Sequence, residues 1–377
     1  MATAVELTTS STTAGAPKGS RSVRSGFAWA LLGVVVVSVL VLVGHNVRPP
    51  GDLDSRIANT AVTGHPRPVV PLFHDLNWMT KLQAGTVGMM VVVAIAFVVL
   101  WRRYPKHPIL LMAIGTEAIL WMDPIMNWAP YAVYNPQLWH WPESWPLVSL
   151  SPTVEPFVVF GYVTFYLMPF FPAIWILRRV QRRRSVDSFV WRHPLITLAL
   201  LVYVIGFVFD AFLEIFCIRA GLYIYAQVMP FGSVFTGKSY QFPLLWESSF
   251  VTLVMIPAAV LLYRDDTGRT VAEKLAQRAR VLARRPALGT FVVMFAILNV
   301  AYAVYGLGFA VIKWSGAATS VACPYPYPEA KVYDPQGFYA KAGQPGPYLA
   351  GIWSGWESIQ SGRPHTATAT NGRCSPK

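Results

Sequence analysis

The stretch QAGTVGMMVVVAIAFVVLW, Gln83 to Trp101, carries no charge and stops at Arg102, Arg103 and, shortly after, Lys106. A helix needs about 20 mostly apolar residues to cross the hydrocarbon of a bilayer, and this run has that length. Six further runs share its character. Phe27 to Gly44 follows Lys18, Arg21 and Arg24. Ile109 to about Met122 is interrupted at Asp123-Pro124. Pro156 to Leu177 halts at Arg178, Arg179, Arg182, Arg183 and Arg184. Leu195 to Phe216, Pro243 to Tyr263 and Leu288 to Ile312 complete the set. The fold class expected is all-α, a polytopic transmembrane bundle of about seven helices. The third run is short, and it has to borrow from the Ile125-Met126 side of Pro124 or sit in space lined by protein.

Composition supports the same solvent. The chain of 377 residues is 54% hydrophobic and 13% charged, about half the ~25% charge usual in soluble domains. Fourteen Trp and seventeen Tyr suit membrane interfaces, where amphipathic rings settle. The tract Trp139 to Pro146 reads chiefly as such a belt, although His140 is near enough to reach a cavity mouth. A formal charge of +13 suggests nucleic acid in a soluble protein, but here Lys and Arg crowd the short loops beside apolar runs. They orient helices and meet anionic headgroups there. Membrane lipids are the expected partners, and nucleic acid is not.

Those charges set the orientation. With the N-terminus inside, nineteen Lys and Arg fall on the cytoplasmic side and twelve on the other, half of the latter after the seventh run. The loop from Asp123 to Glu155 has none. The topology expected is N-in, C-out. Three regions follow: a basic, disordered N-terminus over 1–25, a transmembrane domain over 26–313, and a Pro- and Gly-rich extracytoplasmic tail over 314–377. The first run reads as an uncleaved signal anchor, being long for a cleaved leader and lacking an A-x-A site. Arg264 to Arg285 reads as a short amphipathic cytoplasmic helix. Cys323 and Cys374 both fall in the tail, where a disulfide is chemically permitted and free thiols are the simpler expectation.

Charge within a span is costly and points to function by default. Glu117 lies near mid-depth of the third run. Asp210 and Glu214 lie in the fifth, and their i, i+4 spacing sets both on one helical face. Glu247 sits in the first turn of the sixth, and Glu155 precedes Pro156. Successive spans reverse direction, yet Asp123, Glu155, Asp210, Glu214 and Glu247 all land at the outer end. His74, Asp75 and Asn77 before the second run, Asn127 beyond Pro124, and Asn299 at mid-depth in the seventh join them. One acidic, aromatic cavity opening outward is expected, floored by Glu117 and Asn299.

Plainer roles compete. A carboxylate at a helix N-terminus is often a cap or dipole partner, which covers Glu155 and partly Glu247. Asp210 and Glu214 sit nearer a C-terminus, where capping does not explain them; an ion pair with Arg219 or Lys238 would. Glu117 could be a neutral, hydrogen-bonded acid that fixes helix packing. If the acids do share a cavity, burial and mutual repulsion raise carboxyl pKa values, so one stays protonated as acid while a better solvated one serves as base. The same set suits acid catalysis on an apolar substrate, a proton-coupled transporter or a cation-binding site.

Several classes drop out. No run contains a His, which disfavours bis-His haem and His-cluster di-iron sites. There is no GxSxG, Walker A or HExxH, and three Cys without CxxC spacing make no metal site. No cofactor and no metal are expected.

The segments His74-Asp75-Leu76-Asn77-Trp78, Asp123-Pro124-Ile125-Met126-Asn127-Trp128 and Gln241-Phe242-Pro243-Leu244-Leu245-Trp246-Glu247-Ser248 resemble the AveC-like spirocyclases of actinobacteria, over about residues 70 to 360. The resemblance implies a multi-pass protein of the plasma membrane that closes a dihydroxy-ketone into a spiroketal, or dehydrates it, without a nucleotide, metal or redox cofactor. It carries no catalytic residues over. On the physical reading, Asp210 or Glu214 is the acid and Glu247 the ionised partner. Glu117, Asp123, Asn127, Asn299, His74, Asp75 and Glu155 are placed to bind a hydrophobic, oxygenated polyketide- or lipid-like substrate. A non-catalytic carrier, a proton-coupled transporter or a subunit of an envelope complex is the rival expectation.

Overall fold

The computed structural model describes residues 77–321 apart from a few loop positions, together with Asp75 and isolated positions toward both ends. Six helices among the described residues are long and apolar enough to cross a membrane, rather than seven. The first run, Phe27 to Gly44, lies mostly outside the described residues; of it, Gly33, Val34, Val37, Leu40, Val41 and Gly44 are helical and exposed. Met1–Val47 forms a unit apart from Arg48–Lys377. Cys323 lies outside the described residues, and with it any bond to Cys374.

Helix α1 (Trp78–Arg103) is the most exposed span, with Met89, Val91, Val92, Ile95 and Val99 facing outward. A helix apolar on every side needs lipid there. The next span is a composite: α2 (Pro108–Ala118), a 3-10 turn (Ile119–Met122) and α3 (Asp123–Trp128). The proline expected to break this span does not end it. Pro124 falls in the first turn of α3, where its missing N–H costs no hydrogen bond, so the span does continue through Ile125 and Met126.

The following span is also split, into α4 (Tyr162–Leu167) and α5 (Phe170–Gln181). It begins after Gly161 instead of at Pro156, because Pro156 pairs with His140 in an antiparallel bridge. Helix α6 (Pro194–Ala220) runs four residues past Phe216 and ends at Gly221, whose φ of 81° needs no Cβ to be accommodated. Helix α7 (Leu244–Leu262) packs most closely against α6. The charged segment folds into α8 (Val271–Arg278), closed by a capping box between Thr270 and Glu273, and a short turn Arg280–Ala283. Helix α9 (Pro286–Trp314) returns through the bundle against α2 and α7.

Two ribbons cover one end of the bundle. Strand β1 (Ala132–Tyr134) pairs antiparallel with β2 (Tyr223–Tyr225), and β3 (Gln227–Val228) pairs with β4 (Ser320–Val321). They satisfy backbone groups that loops could not leave bare beside hydrocarbon. The bundle core runs through Met112, Ile119, Leu198, Val202, Val254, Ala258, Met294 and Leu298, all fully buried.

Candidate functional site

A cavity opens beneath the ribbons. Its walls come from α1, α3, α4, α6, α7 and α9, with β1 and β2 as its roof. Its volume is about 100 Å³, narrow beside the roughly 300–1,000 Å³ of sites that hold drug-sized ligands. Asp123, Asn127, Glu214 and Glu247 line it together with Tyr134, Tyr162, Tyr166, Tyr223, Tyr225, Tyr302 and Tyr305.

Two clusters of carboxyl side chains form its polar walls. On one side, α6 and α7 bring Asp210, Glu214 and Glu247 together, with one oxygen of each within 4.8 Å of the others. Gly206, one turn before Asp210, makes this approach possible: a Cβ there would lie 2.9 Å from Met255 Sδ and 3.0 Å from Thr252 Cγ2. Tyr223 and Tyr225 alternate along β2 and so point to one face; both donate to Glu214 Oε2, at 2.6 and 2.8 Å. Asp210 is fully buried behind the wall, with the buried Ser248 hydroxyl as its hydrogen-bonding neighbour.

Across the cavity, Asn127 Nδ2 reaches Glu155 at 2.9 Å and Asp123 at 3.2 Å. Tyr162 donates to Asp123 and also meets the Tyr302 hydroxyl at 2.7 Å. Ser151 donates to Glu155. Burial first, and then the neighbouring Asp123 carboxyl, hold the Glu155 carboxyl well above the usual carboxylate range.

The other residues expected in the cavity are occupied elsewhere. Glu117 accepts the Val163 N–H at 3.1 Å and so caps α4. Asn299 accepts the Trp121 indole N–H at 2.9 Å and donates back to Phe295 O at 2.7 Å. Neither lines the cavity floor. Asp75 pairs with exposed Lys81 at 2.5 Å and accepts the Asn77 N–H, and both partners hold its carboxyl below the usual range. His74 lies outside the described residues. His140 is buried with Nδ1 against Leu138 O at 2.7 Å, away from the cavity lining. Arg219 stacks over Tyr240, 4.3 Å from the ring centre, and no ion pair joins the carboxyls of Asp123, Glu155, Asp210, Glu214 or Glu247 to a basic side chain among the described residues. The structural alternative for Asp210 and Glu214, a pair with Arg219 or Lys238, is therefore not what holds them.

An aromatic cavity was expected, but not which tyrosines line it. Their spacing carried a signal: Tyr162 and Tyr166 at i, i+4, Tyr302 and Tyr305 at i, i+3, and Tyr223-Ile224-Tyr225 in a strand period. All lie at the end of the bundle where the acids gather.

The family model for AveC-like spirocyclases matches residues 101–333, well over half of the chain. The chain belongs to the AveC-like spirocyclase family. The match takes in Asp123 to Trp128 and Gln241 to Ser248, which supply Asp123, Asn127 and Glu247 to the cavity; His74 to Trp78 precedes it. No curated protein and no solved structure matches the chain. Membership in the AveC-like family supports a cyclase-type role, and the six apolar helices make the chain a multi-pass membrane protein.

Proposed function

We propose that this chain is an acid/base cyclase of the plasma membrane that closes a hydrophobic, oxygenated polyketide- or lipid-like molecule to a spiroketal, or dehydrates it. One observation carries the reading. Asp210, Glu214 and Glu247 converge at a tyrosine-lined cavity inside an apolar bundle, and among the described residues no basic side chain pairs with them. Carboxyls so placed trade protons with a substrate instead of with a permanent partner.

In the cyclisation, one hydroxyl of a dihydroxy-ketone adds to the carbonyl to give a hemiketal. A carboxyl then protonates the hemiketal hydroxyl, which leaves as water. The resulting oxocarbenium ion is captured by the second hydroxyl, and that oxygen returns its proton to a carboxylate. Glu214 faces the cavity and is the acid; Asp210 lies behind it and acts through it. Glu247, held by Tyr305, is the ionised partner that stabilises the cation. Asp123 and Asn127 bind substrate oxygens across the cavity. The chemistry needs neither a nucleotide nor a redox cofactor.

A cavity of about 100 Å³ must widen to admit such a substrate. Leu82, Gln83 and Thr86 of α1 form part of its wall, and α1 is the span least held by the bundle. Movement of α1 gives access from the bilayer, where an apolar substrate already resides. Purified protein is given a dihydroxy-ketone, and the ratio of spiroketal products is compared with that of the spontaneous reaction. A shifted ratio and a faster rate support the proposal. An unchanged ratio removes the enzyme reading for that substrate class, and tight binding without turnover places the chain among carriers.

A further inference from the structure

Away from the acids, at the end of the bundle that loop charge predicts to be cytoplasmic, a cleft of about 410 Å³ separates the foot of α6 from α8. Helix α6 packs on α7 and α8 packs on α9, but neither packs closely on the other. The rim of the cleft is basic: Arg192 precedes α6, Arg269 precedes α8, and Lys274 lies within α8. Asp265 is the one acid among the described lining residues. Lys274 pairs with Asp265, and Arg192 pairs with Asp187 at 3.0 Å, yet all four side chains are at least one-third exposed. Ion pairs so exposed are weak, and they yield to a better anion. Arg269 gives one N–H to Gln277 at 2.6 Å and keeps the rest of its five-donor fork. Leu195, Ile196 and Val271 make the remaining wall apolar. From there an apolar stripe continues along α6. Ile196, Leu200, Val204 and Val208 recur at i, i+4 and so share one face, and each is about half exposed or more.

We propose that this cleft binds one anionic phospholipid, with its phosphate on Arg192, Arg269 and Lys274 and one acyl chain along the Ile196 to Val208 stripe. Charge complementarity selects the headgroup. Three cations against one acid leave the rim positive, and guanidinium forks bind phosphate oxygens in pairs. The continuity of rim and stripe selects a lipid over a free ion. Inorganic phosphate would use the rim alone, and a zwitterionic lipid would bring its own cation back against the arginines. Only an anionic headgroup joined to a chain uses both surfaces. Bound there, the lipid bridges α6 and α8 where their side chains do not meet, and it holds amphipathic α8 at headgroup level. Such a site differs from the diffuse attraction of basic loops to a membrane: it takes one molecule, and it depends on three named side chains. It lies apart from the acid-lined cavity and does not rest on the cyclase reading.

The test needs no substrate. Full-length protein, delipidated in dodecyl maltoside, is titrated with dioleoylphosphatidylglycerol, and bound lipid is counted by native mass spectrometry. The expected result is one molecule bound ahead of any others, and at least about fivefold more tightly than dioleoylphosphatidylcholine. A basic residue facing anionic lipid is worth about a factor of five, so Arg269→Gln and Lys274→Gln should each weaken that first event by about this much. Arg183→Gln and Arg284→Gln remove the same charge from the same end of the bundle but outside the cleft, and they should leave it unchanged. Inorganic phosphate and glycerophosphoglycerol, the headgroup without its chains, should not compete at the concentration where the lipid saturates. Competition by either would reduce the cleft to a plain anion site and overturn the lipid. Equal weakening in all four variants would overturn a discrete site in favour of diffuse charge. Equal binding of the two lipids by wild-type protein overturns the proposal outright, and that comparison decides even where a variant does not fold.

Discussion

Tyr305 shares its hydroxyl hydrogen between the two oxygens of Glu247, at 3.0 and 3.1 Å. The contact joins α9 to α7, and the glycines that follow in α9 let it form. A Cβ at Gly306 would lie 2.7 Å from Met126 Sδ, and one at Gly308 would lie 2.7 Å from the Phe250 ring. Tyr305→Phe keeps the ring and removes the donor. The loss of one hydrogen bond to a buried carboxylate, about 1–3 kcal/mol, should lower turnover roughly tenfold to a hundredfold while the protein stays folded. A kcat at wild-type level would separate Tyr305 from the chemistry.

Glu214→Gln preserves shape and hydrogen-bonding capacity but cannot cycle a proton. Positioned acids and bases contribute about 10²–10⁴-fold, so turnover should fall by at least the lower figure. Asp210→Asn should cause a similar loss through its neighbour. Gel filtration in detergent reports whether each variant remains folded and membrane-inserted. Wild-type turnover in both would remove the acid assignment.

The end of the bundle at which the acids gather was legible because it depends only on where each acid sits along its span and on the reversal of direction between spans. Rotation about each helix axis was not legible. Helices that are apolar all round leave no polar face to mark it, and so Glu117 and Asn299, at plausible depth, point to Val163 and Trp121 instead of into the cavity. Composition places tyrosines at membrane interfaces but does not say which side of a helix a ring occupies. Asp123-Pro124 looked like a break, since proline lacks an N–H; a 3-10 turn over Ile119–Met122 restarts the helix with Pro124 where that loss is harmless. The ribbon carrying Tyr223 and Tyr225 depends on pairing with Ala132 to Tyr134, some ninety residues away, which local pattern does not reveal.

Glu155 gives a pH dependence with a definite sign. Its carboxyl, outside the spans, titrates well above the ordinary 4.5 because of burial and the nearby Asp123. The folded protein therefore holds a proton that the unfolded chain releases above pH 4.5, and stability falls as pH rises from there through the folded value. The slope from one such group is up to about 1.4 kcal/mol per pH unit. Glu155→Gln removes the group, so thermal unfolding in detergent should depend less steeply on pH in the variant. Equal slopes would show that Glu155 takes no part.

Loop charge predicts which side of the membrane the cavity faces. A periplasm-active reporter fused after Lys377 should be active, and one inserted between Arg264 and Arg269 should be silent. The opposite pattern would turn the cavity toward the cytoplasm without altering its geometry.

Gly206 tests whether the carboxyl cluster depends on close contact between α6 and α7. The absent Cβ leaves room for Met255 and Thr252, and Asp210 follows one turn later on the same helix. Gly206→Ala already crowds the flexible Met255 and the Thr252 methyl, and the two further methyl groups of Gly206→Val press harder on Thr252, whose hydroxyl is bound to Ser248 O at 2.5 Å. Overpacking of this kind costs typically ~1–3 kcal/mol. The valine variant should therefore unfold at lower temperature than the alanine variant. It should also lose more activity than its stability explains, because a wider helix separation draws Asp210 and Glu214 away from Glu247. Activity that falls only in step with the folded fraction would mean that the three carboxyls do not work as a unit.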